Sequence, residues 1–375
     1  MKIIVFDVPA TEAGALTVLL DFYRFVVASQ RKDIEWIFVV STEMLGTPPE
    51  GCRIRIVRYP EVKRNWTRRI LFELFVAPRL VNRYQADAIL SLQNTAILWT
   101  RIPQVVYVHN SIPYATQRFA YTKRDERAFA IIGDVFRPLI GWSVRKSKAA
   151  VVQTKWLKTA IERTHGIGAG RIAVVPQTIE VHASPRGVAR IPGRFFYPAS
   201  PFVYKQHKEI VEAVTILQQG GRHPKIVFTI DGTENSYART LAKEIRDRGL
   251  EDCFELAGRV SRERAIELYQ ESVVLFVSRL ESFGLPLLEA RLLSSPVIAT
   301  RQPFSEEILE GYAAATLVDQ GATSELAASM ERYCDSTFLE SVRKEDTEQP
   351  VEYSTPGGWA SILELLVRNG RWGQG

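Results

Sequence analysis

The chain has 375 residues, 46% of them hydrophobic and 24% charged, with a formal net charge of +6 and three cysteines. That length supports two domains with separate cores, and that balance excludes a disordered or low-complexity chain. No apolar run reaches the roughly 18 residues that a membrane-crossing helix needs. Cys52, Cys253 and Cys334 are far apart and lack metal spacing, which predicts free thiols in a reducing compartment.

The charge is uneven. Residues 1–180 carry 26 Lys/Arg against 15 Asp/Glu, or +11, and the remainder carries 22 against 27, or −5. A basic front half predicts an anionic partner for that half. On charge alone nucleic acid, a phospholipid surface and a phosphorylated acceptor all qualify.

The N-terminus runs straight into a strand over residues 2–8, with no signal-peptide pattern. Its turn, Val8-Pro-Ala-Thr-Glu-Ala-Gly14, holds one glycine, a weak phosphate-loop signal by itself. Residues 13–30 read as a helix, with strands at 34–41, 53–59, 86–92, 104–108, 149–153 and 172–175. Residues 62–84 read as a basic, aromatic helix bearing Trp66. From Arg53 to Arg83 there are nine Lys/Arg and two Asp/Glu, so this helix can lie on an anionic bilayer as well as pack on its own sheet. No nucleic-acid-binding motif accompanies the charge, which argues against nucleic acid. His109 stands at the carboxyl edge of the strand 104–108, where open α/β sheets bind ligands. Residues 123–148 read as a long helix, and residues 181–193, rich in Pro, Gly and Ala, as a linker.

The strand–helix alternation restarts at 194–199 and continues through strands at 225–230, 253–257, 272–277 and 296–299. It predicts an α/β chain with parallel sheets. The chain is organised around residues 278–300, Ser278-Arg-Leu-Glu-Ser-Phe-Gly-Leu-Pro-Leu-Leu-Glu-Ala290 and onward to Thr300. A buried strand ends here, a tight loop follows, and a helix opens at Leu285 with Pro286 in its first turn. Such a helix start presents N–H donors to an anion or polar ligand. Glu281 in the loop and Glu289 in the helix are eight positions apart. At about 1.5 Å rise per residue they can grip two parts of one elongated ligand rather than share a proton.

This segment resembles the E-x7-E motif of the retaining family 4 (group 1) glycosyltransferases of bacterial polysaccharide assembly. The resemblance implies the GT-B architecture: two Rossmann-like domains whose parallel sheets face each other across a cleft. The divisions it suggests are an acceptor domain at 1–185, a nucleotide-sugar donor domain at 186–350, and a terminal segment at 351–375 that crosses back to the first domain. It implies catalytic roles for His109 and Glu281. It also places Gly14, Ser200, Lys205, Gly258, Val260, Ser282, Phe283, Gly284, Leu285 and Glu289 on the donor. Within that set, Lys205 meets the diphosphate, Glu289 the ribose, and Glu281 with the loop amides the sugar hydroxyls. Ser200 departs from the family's Arg, and Ala13-Gly14 from its paired glycines.

The resemblance further implies transfer with retained configuration, no metal and no cofactor, the donor being a nucleotide-diphosphate sugar. The expected acceptor is a lipid-linked saccharide or oligosaccharide for O-antigen, capsule or lipopolysaccharide. Charge and the helix at 62–84 add peripheral contact with the inner face of the cytoplasmic membrane, and thus a cytoplasmic location. The competing expectations are a non-catalytic nucleotide-sugar-binding scaffold subunit and a GT-B-fold nucleotide-sugar epimerase.

Overall fold

The structure is a computed structural model that describes residues 1–11, 13–177, 189–347 and 358–370. The boundary expected at 185/186 lies outside the described residues. By its internal contacts the chain divides into two compact units. Unit 1 comprises Met1–Tyr114, Ile132–Gln177 and Thr355–Gly375, and unit 2 comprises Ala115–Ile131 and Thr178–Ser354.

Unit 1 is built on seven strands: β1 (Lys2–Asp7), β2 (Glu35–Val40), β3 (Ile54–Arg58), β4 (Ala88–Ser91), β5 (Gln104–Val108), β6 (Ala149–Val152) and β7 (Ile172–Val174). They form one sheet in the order β3-β2-β1-β4-β5-β6-β7, every pair parallel. β1, β2, β4 and β5 are almost wholly buried runs of Ile, Val, Phe and Ala, as expected of parallel strands covered on both faces. One face carries helix α1 (Ala13–Ser29) together with apolar residues from near the C-terminus, where Phe22, Trp36, Tyr107, Ile362 and Leu366 share a core. The other face is covered by further helices of unit 1.

The basic stretch 62–84 is not one helix. A 3-10 turn (Pro60–Arg64) leads into α2 (Trp66–Leu71), a π-helical turn (Phe72–Val76) and α3 (Ala77–Tyr84). Asn65 caps α2, its Oδ1 accepting the Arg68 N–H at 2.9 Å. Pro78 lacks an N–H for a continuous ladder, and the π turn ahead of it absorbs the mismatch. The long helix expected over 123–148 begins later, as α4 (Arg127–Lys146). The residues before it, together with its first turn, group with unit 2. There Phe129 lies 5.6 Å from Phe202 and 5.2 Å from Tyr204, ring centre to ring centre. α5 (Lys155–His165) follows β6.

Unit 2 has six strands: β8 (Arg194–Tyr197), β9 (Lys225–Phe228), β10 (Phe254–Leu256), β11 (Val273–Phe276), β12 (Val297–Thr300) and β13 (Ala315–Val318). Their order is β10-β9-β8-β11-β12-β13, again all parallel. β13 was not among the expected strands, because its approach, Ala313-Ala-Ala315, is a run of small residues with weak strand preference. The helices are α6 (His207–Gln219), α7 (Ser236–Asp247), α8 (Arg262–Glu271), α9 (Leu285–Leu292), α10 (Pro303–Ile308), α11 (Thr323–Arg332) and α12 (Ser336–Thr347). The terminal helix α13 (Gly358–Gly370) packs in unit 1, Trp359 meeting Phe22 at 5.0 Å and Tyr107 at 5.5 Å. The three cysteines are free.

Candidate active site

In a doubly wound sheet the order reverses once, and the loops leaving the two strands at that point diverge to leave a crevice for ligand. In unit 2 the reversal lies between β8 and β11. Lys205 is carried by the loop after β8 and Glu281 by the loop after β11, and their side chains meet in an ion pair. Both are largely withdrawn from water, at 13% and 17% side-chain exposure. Removing either partner would leave a charge largely withdrawn from water and uncompensated, so each side chain holds the other in place.

Local hydrogen bonds hold these two loops. The Tyr197 hydroxyl, on the last residue of β8, donates to the Lys205 carbonyl at 2.5 Å. The Arg279 N–H donates to the Tyr204 carbonyl at 3.0 Å, tying the second loop to the first. The Ser278 hydroxyl donates to the Leu280 carbonyl at 3.1 Å. The Lys205 ammonium lies 5.6 Å from the Tyr204 ring and 5.7 Å from the Phe276 ring, within reach of a cation–π contribution.

Beyond Glu281 the chain turns into α9 through Gly284, whose φ of +95° favours glycine. A Cβ there would meet Leu287 and Phe304 at 3.4 and 3.5 Å, ordinary contact distances, so the backbone conformation rather than crowding calls for glycine. Phe283 is buried and anchors the turn, while Ser282 and Leu285 are half-buried beside it. Glu289, one turn into α9, accepts from the Tyr269 hydroxyl at 2.6 Å and pairs with Arg262. A carboxylate has about four acceptor positions, so this clamp orients Glu289 and leaves capacity for a ligand. Burial, reinforced by Glu289, holds the Tyr269 hydroxyl well above the usual phenol range, so it stays a donor.

Gly258 lies just past β10 at φ +64°, its N–H donating to the Ile230 carbonyl at 3.1 Å. The neighbouring turn is closed by Glu234, which accepts from the N–H groups of Asp231 and Gly232 at 2.7 and 3.0 Å. Val260 is half-buried in the same loop. Ser200 is exposed, with its carbonyl accepting from the Phe202 N–H. The structure thus brings Lys205 and Glu281 into contact and fixes Glu289 through partners. Tyr197, Tyr204, Arg262 and Tyr269 are supporting residues that no sequence spacing announced. Only their helix and strand-end positions could have hinted at them.

In unit 1 the sheet reverses between β1 and β4, and polar groups gather at the ends of β1, β4 and β5. His109 follows β5. Its Nε2 lies 2.9 Å from the Leu92 carbonyl and 3.3 Å from the Asn94 Nδ2; the shorter contact, to an oxygen that can only accept, has Nε2 carry the proton. Burial pushes its pKa down to about 4, against an opposing effect of the Leu92 bond; the ring is neutral at pH 7. The Asn94 carbonyl oxygen receives the backbone N–H groups of His109 and Asn110 at 2.7 and 2.8 Å, fixing the strand end. Asp7, the last residue of β1, is buried, and burial holds its carboxyl well above the usual range although Arg69 opposes the shift. Gln93 is buried beside the same edge. Neither was singled out from sequence, since one Asp or Gln at a strand end carries no pattern. Gly14 is exposed, and no atom lies within 4 Å of where its Cβ would be; packing does not require glycine there. Among the described residues, no group of three or more His, Cys, Asp or Glu could hold a metal ion.

Comparison with known proteins agrees with this architecture. The family model described as Glycosyl transferases group 1 matches residues 193–349, and that described as Glycosyltransferase Family 4 matches residues 23–182. A comparison with curated protein sequences found no match. Among solved structures, HepE from Anabaena, in complex with UDP and glucose, is 16% identical with a TM-score of 0.68, covering 98% of this chain and 100% of that one. Sucrose-phosphate synthase from Thermosynechococcus elongatus is 16% identical with a TM-score of 0.70, covering 99% and 98%. WaaG, a glycosyltransferase involved in lipopolysaccharide biosynthesis, is 14% identical with a TM-score of 0.68, covering 96% and 99%. At such identities the likeness shows the fold, and the fold is that of the GT-B glycosyltransferases. With the two family models matching its two halves, the chain belongs to the family 4, group 1 glycosyltransferases.

Proposed function

We propose that this glycosyltransferase moves a sugar from a nucleotide-diphosphate donor to a saccharide acceptor, with retention of configuration and without a metal ion. The observation that carries the reading is the Lys205–Glu281 pair at the reversal point of the second sheet. Breaking a glycosidic bond to a diphosphate develops negative charge on the leaving group, and fixed cations and N–H donors aimed at that charge supply the stabilisation. Lys205 is the cation, and the α9 N-terminus opened by Gly284 and Leu285 supplies donors. Glu281, with Ser282 and Phe283 of its loop, takes the sugar hydroxyls, and Glu289, pre-aimed by Tyr269, takes the ribose. Gly258 and Val260 meet the base through backbone groups. The role that the resemblance gives His109, neutral at pH 7, is contact with the transferred sugar.

The acceptor we propose is a lipid-linked saccharide of a surface polysaccharide such as O-antigen, capsule or lipopolysaccharide, extended at the cytoplasmic face of the membrane. The basic residues of 62–84 support this reading, because an enzyme that extends a lipid-anchored chain must work at a bilayer surface. The relative WaaG acts in lipopolysaccharide biosynthesis, and HepE was crystallised with UDP and glucose; both are consistent with it. The test is transfer from UDP-, GDP-, dTDP- and CMP-sugars to a lipid-linked acceptor, run with and without EDTA. Retained anomeric configuration, unaffected by chelation, is the expected result. An inverted product, or activity lost to EDTA and restored by a divalent cation, overturns the corresponding part of the reading.

A further inference from the structure

No helix among the described residues is long and apolar enough to cross a membrane, yet unit 1 shows a concentrated apolar surface. α2 and the π turn after it expose Trp66, Ile70, Leu71 and Phe75, and α2 contains no buried residue. α4 exposes Val135, Leu139 and Trp142, spaced four and three apart so that they fall in one row along the helix. All seven side chains are between 38% and 55% exposed.

The two rows adjoin. The Trp66 ring meets the Phe136 ring edge-on at 6.3 Å, and the Arg69 guanidinium sits 5.8 Å from both ring centres. Helix geometry says on which side of α4 this contact falls. Gly141 faces α5, where an added Cβ would strike His165. At about 100° per residue, Phe136 lies at the opposite edge of the buried arc, the edge that leads to Leu139 and Val135. α2 therefore abuts α4 on the flank that carries the exposed row, and the two rows form one face.

We propose that this joined α2–α4 face docks on an anionic lipid bilayer. The proposal extends the contact suggested above for residues 62–84, and rests on it. A contiguous apolar face marks an interaction surface rather than ordinary surface scatter. Charge selects the partner. Trp66–Arg83 brings Arg68, Arg69, Arg79 and Arg83 against Glu73, with Glu61 pairing Arg68 from just outside it, and on α4 Lys146 falls in the exposed row while Arg137 and Arg145 turn to the Pro113 and His165 carbonyls. Glu73 is already paired with Arg69. Apolar side chains with Trp at their margin, rimmed by Arg and Lys, match the acyl–headgroup boundary of anionic lipid.

The test is flotation of the full chain with vesicles of phosphatidylglycerol and phosphatidylethanolamine, and with phosphatidylcholine vesicles. Two double variants are compared, Trp66→Ser/Phe75→Ser on α2 and its π turn (the α2 pair) and Leu139→Ser/Trp142→Ser on α4. Thermal midpoints check folding, and the single changes Phe75→Glu and Leu139→Glu stand in for the α2 and α4 pairs respectively if either fails to fold. Binding to anionic vesicles alone is expected, weakened by high salt, with each pair lowering the partition coefficient by about tenfold or more. If the α2 pair abolishes flotation and the α4 pair does not, the extension to α4 is wrong while the contact at 62–84 stands. No flotation of the parent chain overturns both. Dimerisation that the α4 pair abolishes, with no vesicle binding, assigns the face to a second copy. Nucleotide-sugar binding, read separately by thermal shift, is independent of every one of these outcomes.

Discussion

Glu281→Gln separates the two jobs assigned to the Lys205–Glu281 pair. The carboxylate holds the ammonium, with both side chains mostly shielded from water. A diphosphate that takes Lys205 must approach that carboxylate. Two unit charges about 6 Å apart repel by roughly 1–3 kcal/mol at effective dielectric constants of about 20 to 40. Lys205 between them screens part of this, so the lower end applies, about fivefold in affinity. Glutamine keeps the shape and removes the charge. Glu281→Gln is therefore expected to bind nucleoside diphosphate several-fold more tightly at low salt while transfer falls by about a hundredfold or more, since the sugar hydroxyls lose a charged acceptor. Lys205→Ala should act in the opposite sense, losing a charge-assisted contact worth about 1.5–3 kcal/mol, or roughly ten- to 150-fold in affinity. Isothermal titration with UDP, GDP, dTDP and CDP at two salt concentrations, beside transfer rates, measures both. If Glu281→Gln weakens diphosphate binding as Lys205→Ala does, the division of labour is refuted and the pair acts only as a structural unit.

Other expectations follow from the same geometry. Tyr269→Phe removes the hydroxyl that aims Glu289, so KM for the donor should rise about three- to tenfold with kcat little changed; an unchanged KM means that Glu289 does not hold the donor. Gly284→Ala forces a side chain into a φ of +95°, and should cost about 1–2 kcal/mol in urea unfolding as well as activity. Burial lowers the pKa of His207 to about 3 and of His109 to about 4. Between the unfolded value near 6.5 and these folded values the unfolded chain binds more protons, so stability is full above about pH 6.5 and falls as pH drops towards 4. His207 is fully buried among Tyr197, Phe228 and Tyr237. His207→Phe should flatten this slope in denaturant titrations at pH 4 to 7, and an unaltered slope contradicts the assignment.

Much of this architecture was legible in the sequence because parallel strands are written as continuous apolar runs. Residues 104–108 and 273–276 could hardly be anything but buried strand, and Glu281, Gly284 and Glu289 sit where a strand–loop–helix unit puts them. The runs lost their outer residues to turns, and β13 was missed because Ala313-Ala-Ala315 carries little strand signal. The stretch 62–84 misled because its hydrophobic period passes smoothly over Pro78, whose effect on the backbone ladder is felt a turn earlier, as the π turn. The partners of the site were not legible for a different reason. Tyr269 and Arg262 lie on α8, and Tyr197 ends β8; each reaches Glu289 or Lys205 only once the sheet order is known. Asp7 and Gln93 likewise acquire meaning only when β1 and β4 are seen to flank the reversal of the first sheet.

The central claim, that the second unit holds a nucleotide-sugar donor through Lys205 and Glu289, is tested most directly by one screen. Thermal stabilisation of the purified protein is measured with UDP-, GDP-, dTDP- and CMP-sugars, for the parent chain and for Lys205→Ala and Glu289→Ala. The account predicts that one donor raises the midpoint, by several degrees at a hundredfold excess over Kd, and that both variants lose the response. Stabilisation that survives in both variants, or no stabilisation by any donor, contradicts it.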